Sequence, residues 1–351
     1  MSDNLRRYRA IRDALTQCYP GQPSGTVVRH LITLAALISG IVSSQSTQLP
    51  HIAAHVPNGT KPESRVKRFA RWVDNAHILE EVYFLPYAGV LLRHLALQTL
   101  VLVMDGSGVG RGCTALMLHV VYKGRALPLA WRVRQAPKGY FLEDLHIAVV
   151  ELMCEVIPKG AKVVFLGDGE FDGTALQDTL NKMGWSYVCR TAMSTTATWD
   201  GQTFRLDTLG ACLKPGRLIE LKDVYCTQAA YGPIMVLCCW AKGCQEPLYL
   251  ISNMATAEEA YRLSEQPPAE AGGLVLWTES PETGHRPVVK TPCESCLPDP
   301  ARNDVPGTLG SSLPSSVRPW HKNTRVPKSA VPSSASSVPE TPRTACWRCG
   351  L

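Results

Sequence analysis

Two apolar runs in this chain each end in Asp-Gly: LVMDGSGVGRG at 102–112 and KVVFLGDGEFDG at 162–173. They place Asp105 and Asp168 63 positions apart. A single Asp after an apolar run is usually a turn former. Two such runs, if they pair as parallel neighbours, bring both carboxylates to one crevice at the carboxyl edge of a sheet. Carboxylate oxygens there suit Mg²⁺ or Mn²⁺. Two such ions can clamp the attacking and leaving oxygens of a phosphodiester. The glycines at 106, 108, 110 and 112 do not make a phosphate cradle. They give neither GxxxxGK[ST] nor GxGxxG, and they lead into CTALMLHVVY, which reads as a strand. They are expected to form a flexible turn between antiparallel strands, with Asp105 at the end of the first. Glu170 and Asp172 read as parts of a solvated turn beside Asp168.

The elements around these residues are those of an α/β chain. TLVLVMD, CTALMLHVVY, ALPLAWRV, KVVFLGD and SYVCR are short, apolar and rich in β-formers. Helical spacing falls at Phe141–Ile157 and at Thr174–Met183. The resulting order is strand, strand, strand, helix, strand, helix, strand, a mixed sheet that begins as a meander. Residues 195–252 read as mainly β, and a further helix opens at Thr256 with a Thr256–Glu259 capping box.

The first 98 residues read as helical and basic, with 11 Lys and Arg against 6 Asp and Glu. Residues 99–263 balance at 16 against 16. The formal charge of +6 therefore sits mostly in the first segment, as in a basic nucleic-acid-binding module joined to a neutral body. Its clearest helix is GTKPESRVKRFARWVDN, with a Thr60–Glu63 capping box and Pro62 in the first turn. Val66, Phe69, Ala70 and Val73 form an apolar stripe, and Lys61, Arg65 and Arg68 a basic one, flanked by Lys67 and Arg71. Such a face fits phosphates or simply a solvated surface. The N-terminus lacks a signal-peptide core. The apolar stretch Leu31–Val42 is shorter than the ~20 residues a bilayer requires. A soluble, cytoplasmic protein with no membrane partner is expected. The 13 cysteines are an odd number and lie mostly in apolar runs, as reduced core residues do.

Residues 60–263 resemble a DDE transposase of bacterial insertion sequences, in the subgroup with an all-β insertion before the catalytic Glu. The matching features are VLVMDGS, GRALPLAW at 124–131, FLGDGEFDG, SYVCR with Arg190, the β-rich stretch 195–252, and the helix at MATAEEAY. The resemblance implies an RNase H-like mixed sheet with a β-rich insertion, preceded by a helical DNA-binding region and followed by a disordered tail. It implies that Asp105 and Asp168 are catalytic metal ligands for Mg²⁺ or Mn²⁺. Lys61, Arg65, Lys67, Arg68, Arg71 and Arg190 would grip DNA. Double-stranded DNA, as transposon ends and target, would be the partner of a nucleoid-associated protein assembling as a homodimer. DGSG followed by GDGEFD also resembles haloacid-dehalogenase-type phosphatases, with Asp105 as nucleophile. There a second Asp stands two residues on, where this chain has Ser107.

The transposase signature Tyr, two residues, Arg, three residues, Glu, six residues, Lys is not met. Starting at Tyr261 it falls on Ser264, Pro268 and Val275. Starting at Ser264 it falls on Pro267, Ala271 and Thr278. Pro267-Pro268 and Gly272-Gly273 would break the helix that should present the Glu. No third acid is assigned, so the expected protein is a remnant with reduced or no activity, or a DNA-binding fragment. From 264 to 351 the chain holds 14 of its 26 prolines and reads as a disordered tail, expected to follow a disruption of the coding frame near codon 264. Cys293/Cys296 and Cys346/Cys349 read as chance pairs rather than a zinc site. His94, His119 and His146 read as core or surface residues.

Overall fold

A computed structural model describes residues 3–57, 59–110, 112–135 and 141–265, and the backbone of 288–290. The two C-terminal cysteine pairs and most of the Pro/Ser-rich stretch lie outside these residues.

The chain opens with α1 (Asp3–Gln17), α2 (Gly25–Ser44), α3 (Leu49–Ala54) and α4 (Pro62–Val73). The last three share a small core of Ala36, Leu37, Ile52, Ala53, Val56, Phe69 and Trp72. Gly40 lets α2 meet α3 closely, because a Cβ there would lie 2.6 Å from the Ile52 side chain and 2.8 Å from its carbonyl oxygen. At 20 residues α2 is longer than the expected apolar stretch, and by length and composition alone it could cross a membrane. Its inward side, including Leu31, Ala35, Ala36 and Leu37, is buried in the protein. The N-cap of α4 is Lys61 rather than Thr60, and it makes no side-chain capping bond. Pro62 stands in the first turn of α4, where its missing N–H costs no helical hydrogen bond.

Two further helices, α5 (Glu80–Tyr83) and α6 (Leu85–Leu95), lead into the sheet. Ala88 and Leu92 of α6 are fully buried in the same core as the first strands. The strands and helices that follow are β1 (Leu100–Gly110), β2 (Cys113–Tyr122), β3 (Arg125–Gln135), α7 (Glu143–Cys154), β4 (Val163–Gly167), α8 (Thr174–Lys182) and β5 (Ser186–Arg190). The β-rich segment comprises β6 (Thr196–Trp199), β7 (Gln202–Arg205), the short α9 (Asp207–Ala211), β8 (Arg217–Cys226), β9 (Tyr231–Trp240) and β10 (Leu248–Ser252). Helix α10 (Ala257–Ser264) and the three-residue β11 (Val288–Lys290) close the described chain.

All the described strands belong to one sheet, in the order β3-β2-β1-β4-β5-β10-β9-β8-β6-β7, with β11 beside β8. β1, β4 and β5 run parallel, while β2 and β3 fold back antiparallel. That five-strand order is compatible with the expected RNase H-like sheet. The β-rich segment continues this sheet, because β10 pairs directly with β5. Residues 288–290 add a parallel strand to β8, so the stretch expected to be a disordered tail contributes one strand.

Strand alternation sends side chains to two faces. Leu100, Leu102, Met104 and Phe165 pack with α6, α7 and α8 in the larger core. Val103, Val164, Leu166 and Val188 pack on the other face with Ala257, Ala260 and Tyr261 of α10.

The expected turn at 106–112 is not where β1 ends. Gly106, Ser107 and Gly108 pair with Leu116, Ala115 and Thr114, and the ladder becomes irregular only between Gly108 and Gly110. Asp105 therefore lies within β1. Glycines do not prevent ladder hydrogen bonds, and antiparallel β2 continues to pair after parallel β4 has stopped. The nine described cysteines are free thiols.

Candidate active site

In the β1–β4 ladder every partner pair is separated by the same interval, from Leu100 opposite Val163 to Val103 opposite Leu166. Asp105 and Asp168 have that interval too, so continuing the register sets them level, with Asp168 one residue past the end of β4. The β4–β5 ladder pairs Gly167 with Cys189, and one further step sets Asp168 level with Arg190. Neighbouring strands lie roughly 4.8 Å apart. Asp105, Asp168 and Arg190 thus form one cross-strand row. Alternation from Val103 and Val188 places Asp105 and Arg190 on the α10 face, while the Asp168 carboxylate, one residue past β4, acts electrostatically on His146, Asp172 and Cys189.

Asp105 is 5% exposed, and its Oδ2 accepts a hydrogen bond of 3.1 Å from Ser107 Oγ. His119, opposite Val103 on β2, shares this face. Burial lowers the His119 pKa, against the opposing pull of Asp105 and of a hydrogen bond to the Val103 backbone. The half-buried Asp168 accepts the Glu170 backbone N–H through Oδ1 at 2.9 Å, which ties its carboxylate into a tight turn. That turn folds back on β4. Phe171 is fully buried, and a Cβ on Gly167 would lie 2.7 Å from the Phe171 Cβ. Gly167 is therefore required by the return of the chain.

The expected solvated turn at 170–172 is instead packed on the opposite face. Glu170 lies 3.9 Å from His146 Nε2, and a Cβ on Gly106 would stand 3.9 Å from the Glu170 carboxylate. Burial lowers the pKa of His146, so this contact is not an ion pair at neutral pH. Asp172 accepts a 2.7 Å bond from Thr191 Oγ1. Glu143 of α7 caps α8 from outside, its Oε1 accepting the Leu176 N–H at 2.8 Å. His119 and His146 are core residues, and His94 is exposed.

Among the described residues there is no group of three His, Cys, Asp or Glu side chains able to hold a metal ion. Helix α10 starts at Thr256, which makes no side-chain capping bond, and its last cap residue is Glu265. Glu265 hydrogen-bonds Tyr261 and acts electrostatically on Cys239 of β9. In the order β4-β5-β10-β9 that strand is three places from Asp168. Glu265 thus does not complete the row.

The basic residues of α4 divide. Lys61, Lys67 and Arg71 are exposed. Arg65 is turned inward, donating through one guanidinium nitrogen to the carbonyls of Ala53 at 2.6 Å and Val56 at 3.0 Å. Arg68 is half-buried with its guanidinium 5.3 Å from the Phe69 ring centroid, and burial lowers its pKa. The reading of Arg65 as a DNA contact is corrected by its carbonyl bonds, which hold α4 to the end of α3. Arg190 is exposed.

No family profile matches the chain, and no curated protein does. The solved structures that resemble the chain weakly include the following two. One is a piggyBac transposase synaptic complex with hairpin DNA, 10% identical over 76% of this chain and 66% of that chain, with a TM-score of 0.40. The other is human ENDOV, 16% identical over 47% of this chain and 74% of that chain, with a TM-score of 0.28. Both likenesses are weak and partial, and neither singles out the transposase subgroup named above.

Proposed function

We propose that this chain is a remnant of a DDE-type transposase that binds double-stranded DNA, as a homodimer, and cuts it weakly or not at all. The observation that supports this reading most directly is the level placement of Asp105, Asp168 and Arg190 at one end of three neighbouring strands. Two carboxylates fit Mg²⁺, which commonly binds through one or two carboxylates and completes its shell with waters and substrate phosphates. Asp105 and Asp168 would hold it. When bound, the ion would activate water and stabilise charge on the phosphodiester. Ser107 holds the Asp105 carboxylate, and the Glu170 N–H holds that of Asp168. Arg190 offers a cation next to them for a backbone phosphate. Lys61, Lys67 and Arg71 supply further phosphate contacts, while Arg65 serves the helical core. With no third carboxylate beside them among the described residues, they would hold metal weakly and cleavage would be slow. A cytoplasmic, nucleoid-associated location belongs to the same reading.

The test uses purified chain and labelled duplex carrying the insertion-sequence ends. DNA binding should weaken steeply as salt rises. Lys61→Ala with Lys67→Ala and Arg71→Ala should weaken it at every sequence tested. Nicking in Mg²⁺ or Mn²⁺ should be slight and abolished by Asp105→Asn or Asp168→Asn. Absence of DNA binding at low salt would overturn the proposal. So would hydrolysis of a small phosphate ester that Asp105→Asn abolishes, an outcome that would establish the phosphatase reading instead.

A further inference from the structure

A cavity of about 270 Å³ lies where the start of α8 meets the end of β5 and the β8–β9 hairpin. Its polar lining includes Asp172, Gln177, Thr191 and Thr195, and Cys226 and Ile251 form an apolar wall. Phe171, Leu176, Cys189, Cys226 and Ile251 all belong to the larger core. The cavity is therefore on the α7–α8 face, across the sheet from Asp105 and Arg190.

The hydrogen bonds around it have a direction. Thr191 Oγ1 donates to Asp172 Oδ2 at 2.7 Å. With that proton committed, the 3.0 Å contact between Thr191 and Thr195 is donated by Thr195. Gln177 is 1% exposed and donates through Nε2 to the Asp172 carbonyl at 2.8 Å. Its Oε1 is left as a buried acceptor without a partner. Among the described residues no Lys or Arg pairs with the Asp172 carboxylate. Hydroxyl protons thus converge on Asp172, and the inner wall presents lone pairs from Gln177, Thr195 and Asp172. A buried acceptor requires a donor, and the half-buried Asp172 carboxylate is favoured by a cation beside it. Burial pushes the Cys226 thiol up to about 12, so it remains neutral; burial also raises the Asp172 carboxyl above its ordinary value, and a cation beside it would favour the carboxylate.

We infer that this cavity binds a small organic cation with several N–H donors, an alkylammonium or alkylguanidinium. The charged head meets Asp172, Gln177 Oε1 and Thr195, and the alkyl stem lies against Cys226, Ile251 and the Tyr231 ring. A single metal ion matches the site less well. One water needs only ~10–15 Å³ of such a cavity, so an ion would leave most of the space, and the apolar wall, facing water. The inference uses none of Asp105, Asp168 or Arg190 and stands apart from the transposase reading.

Calorimetric titration of the full chain at constant ionic strength tests it. Butylammonium, methylguanidinium and free arginine should give saturable binding. Tetramethylammonium, with the same charge and no N–H, and KCl should not. Asp172→Asn should weaken butylammonium binding by roughly tenfold or more. Gln177→Leu and Thr195→Val, each checked for an unchanged thermal transition, should weaken it several-fold. Asp105→Asn should bind as the parent does, even if DNA cleavage is lost or was never present. Equal binding of tetramethylammonium, or unchanged binding in both folded Gln177→Leu and Thr195→Val, overturns the inference, as does the absence of any binding.

Discussion

His146 shows how one buried side chain couples this fold to pH. It is 3% exposed, its ring lies edge-on to Phe171 with centroids 4.8 Å apart, and it stands between Glu143 and Glu170. Burial lowers the folded pKa below the ordinary 6.5, outweighing the Glu143 and Asp168 carboxylates, which favour the protonated ring. His119 is lowered for the same reason. As pH drops below the ordinary value, the unfolded chain takes up protons that the folded chain refuses. Stability is therefore complete above about 6.5 and declines as pH falls toward the folded pKa values. Urea unfolding between pH 5 and 7 should show this decline, and His146→Gln should flatten it. An unchanged slope in the variant would show that His146 titrates alike in both states.

At the scale of elements, the contact between α5 and β3 governs how the helical segment meets the sheet. Arg132 donates to Glu80 at 2.6 Å, and Phe84 meets Trp131 edge-to-face at 4.6 Å. Glu80 is so enclosed that burial raises its pKa despite the adjacent guanidinium. Arg132→Met should cost about 3 kcal/mol, because it strands a buried carboxylate. The double variant Glu80→Leu with Arg132→Met should recover much of that loss, since apolar replacements of a buried pair are often nearly neutral. Denaturant midpoints of both variants check this, and a single variant as stable as the parent would show the pair to be dispensable.

The same elements separate what was legible in the sequence from what was not. β4, α7, α8 and β5 were recognisable because apolar period and turn residues coincide in Val163–Gly167, Glu143–Cys154, Thr174–Lys182 and Ser186–Arg190. The extent of β1 was not, because Gly106 and Gly108 carry no side chain to reveal a strand that its partner β2 sustains. Pairing of β10 with β5 was equally hidden, since the match of Ile251 with Cys189 depends on distant segments. In sequence Arg65 is indistinguishable by charge from its neighbours, and only its bonds to the carbonyls of Ala53 and Val56 reveal its inward turn. Asp105, Asp168 and Arg190 stand out in the sequence by residue type, but their level placement emerges from strand register.

At the scale of the molecule there are separate cores. The one beneath α4 is small, with Phe69 and Trp72 at its centre. The one beneath the sheet runs from α6 through β1, β4 and β5 into β8 and β9. Because fewer apolar contacts hold the first, it should open at lower cost. Native-state hydrogen exchange should show the amides of Phe69 and Trp72 exchanging through a smaller opening free energy than those of Leu102 and Phe165. Equal protection would mean that helices and sheet unfold as one unit.

The cross-strand row also sets which changes of length this chain can absorb. Residues added or lost in the connections between β1 and β4 leave the two carboxylates where the ladder holds them. Inside the strands the rule is one of parity. A single residue lost from Val163–Gly167 would exchange the two faces of β4 and take Asp168 out of level with Asp105. A loss of two would restore the face but draw the carboxylate back by about 7 Å. Over evolutionary time, drift in loop length is compatible with this site, whereas odd-numbered insertions or deletions in its strands are not.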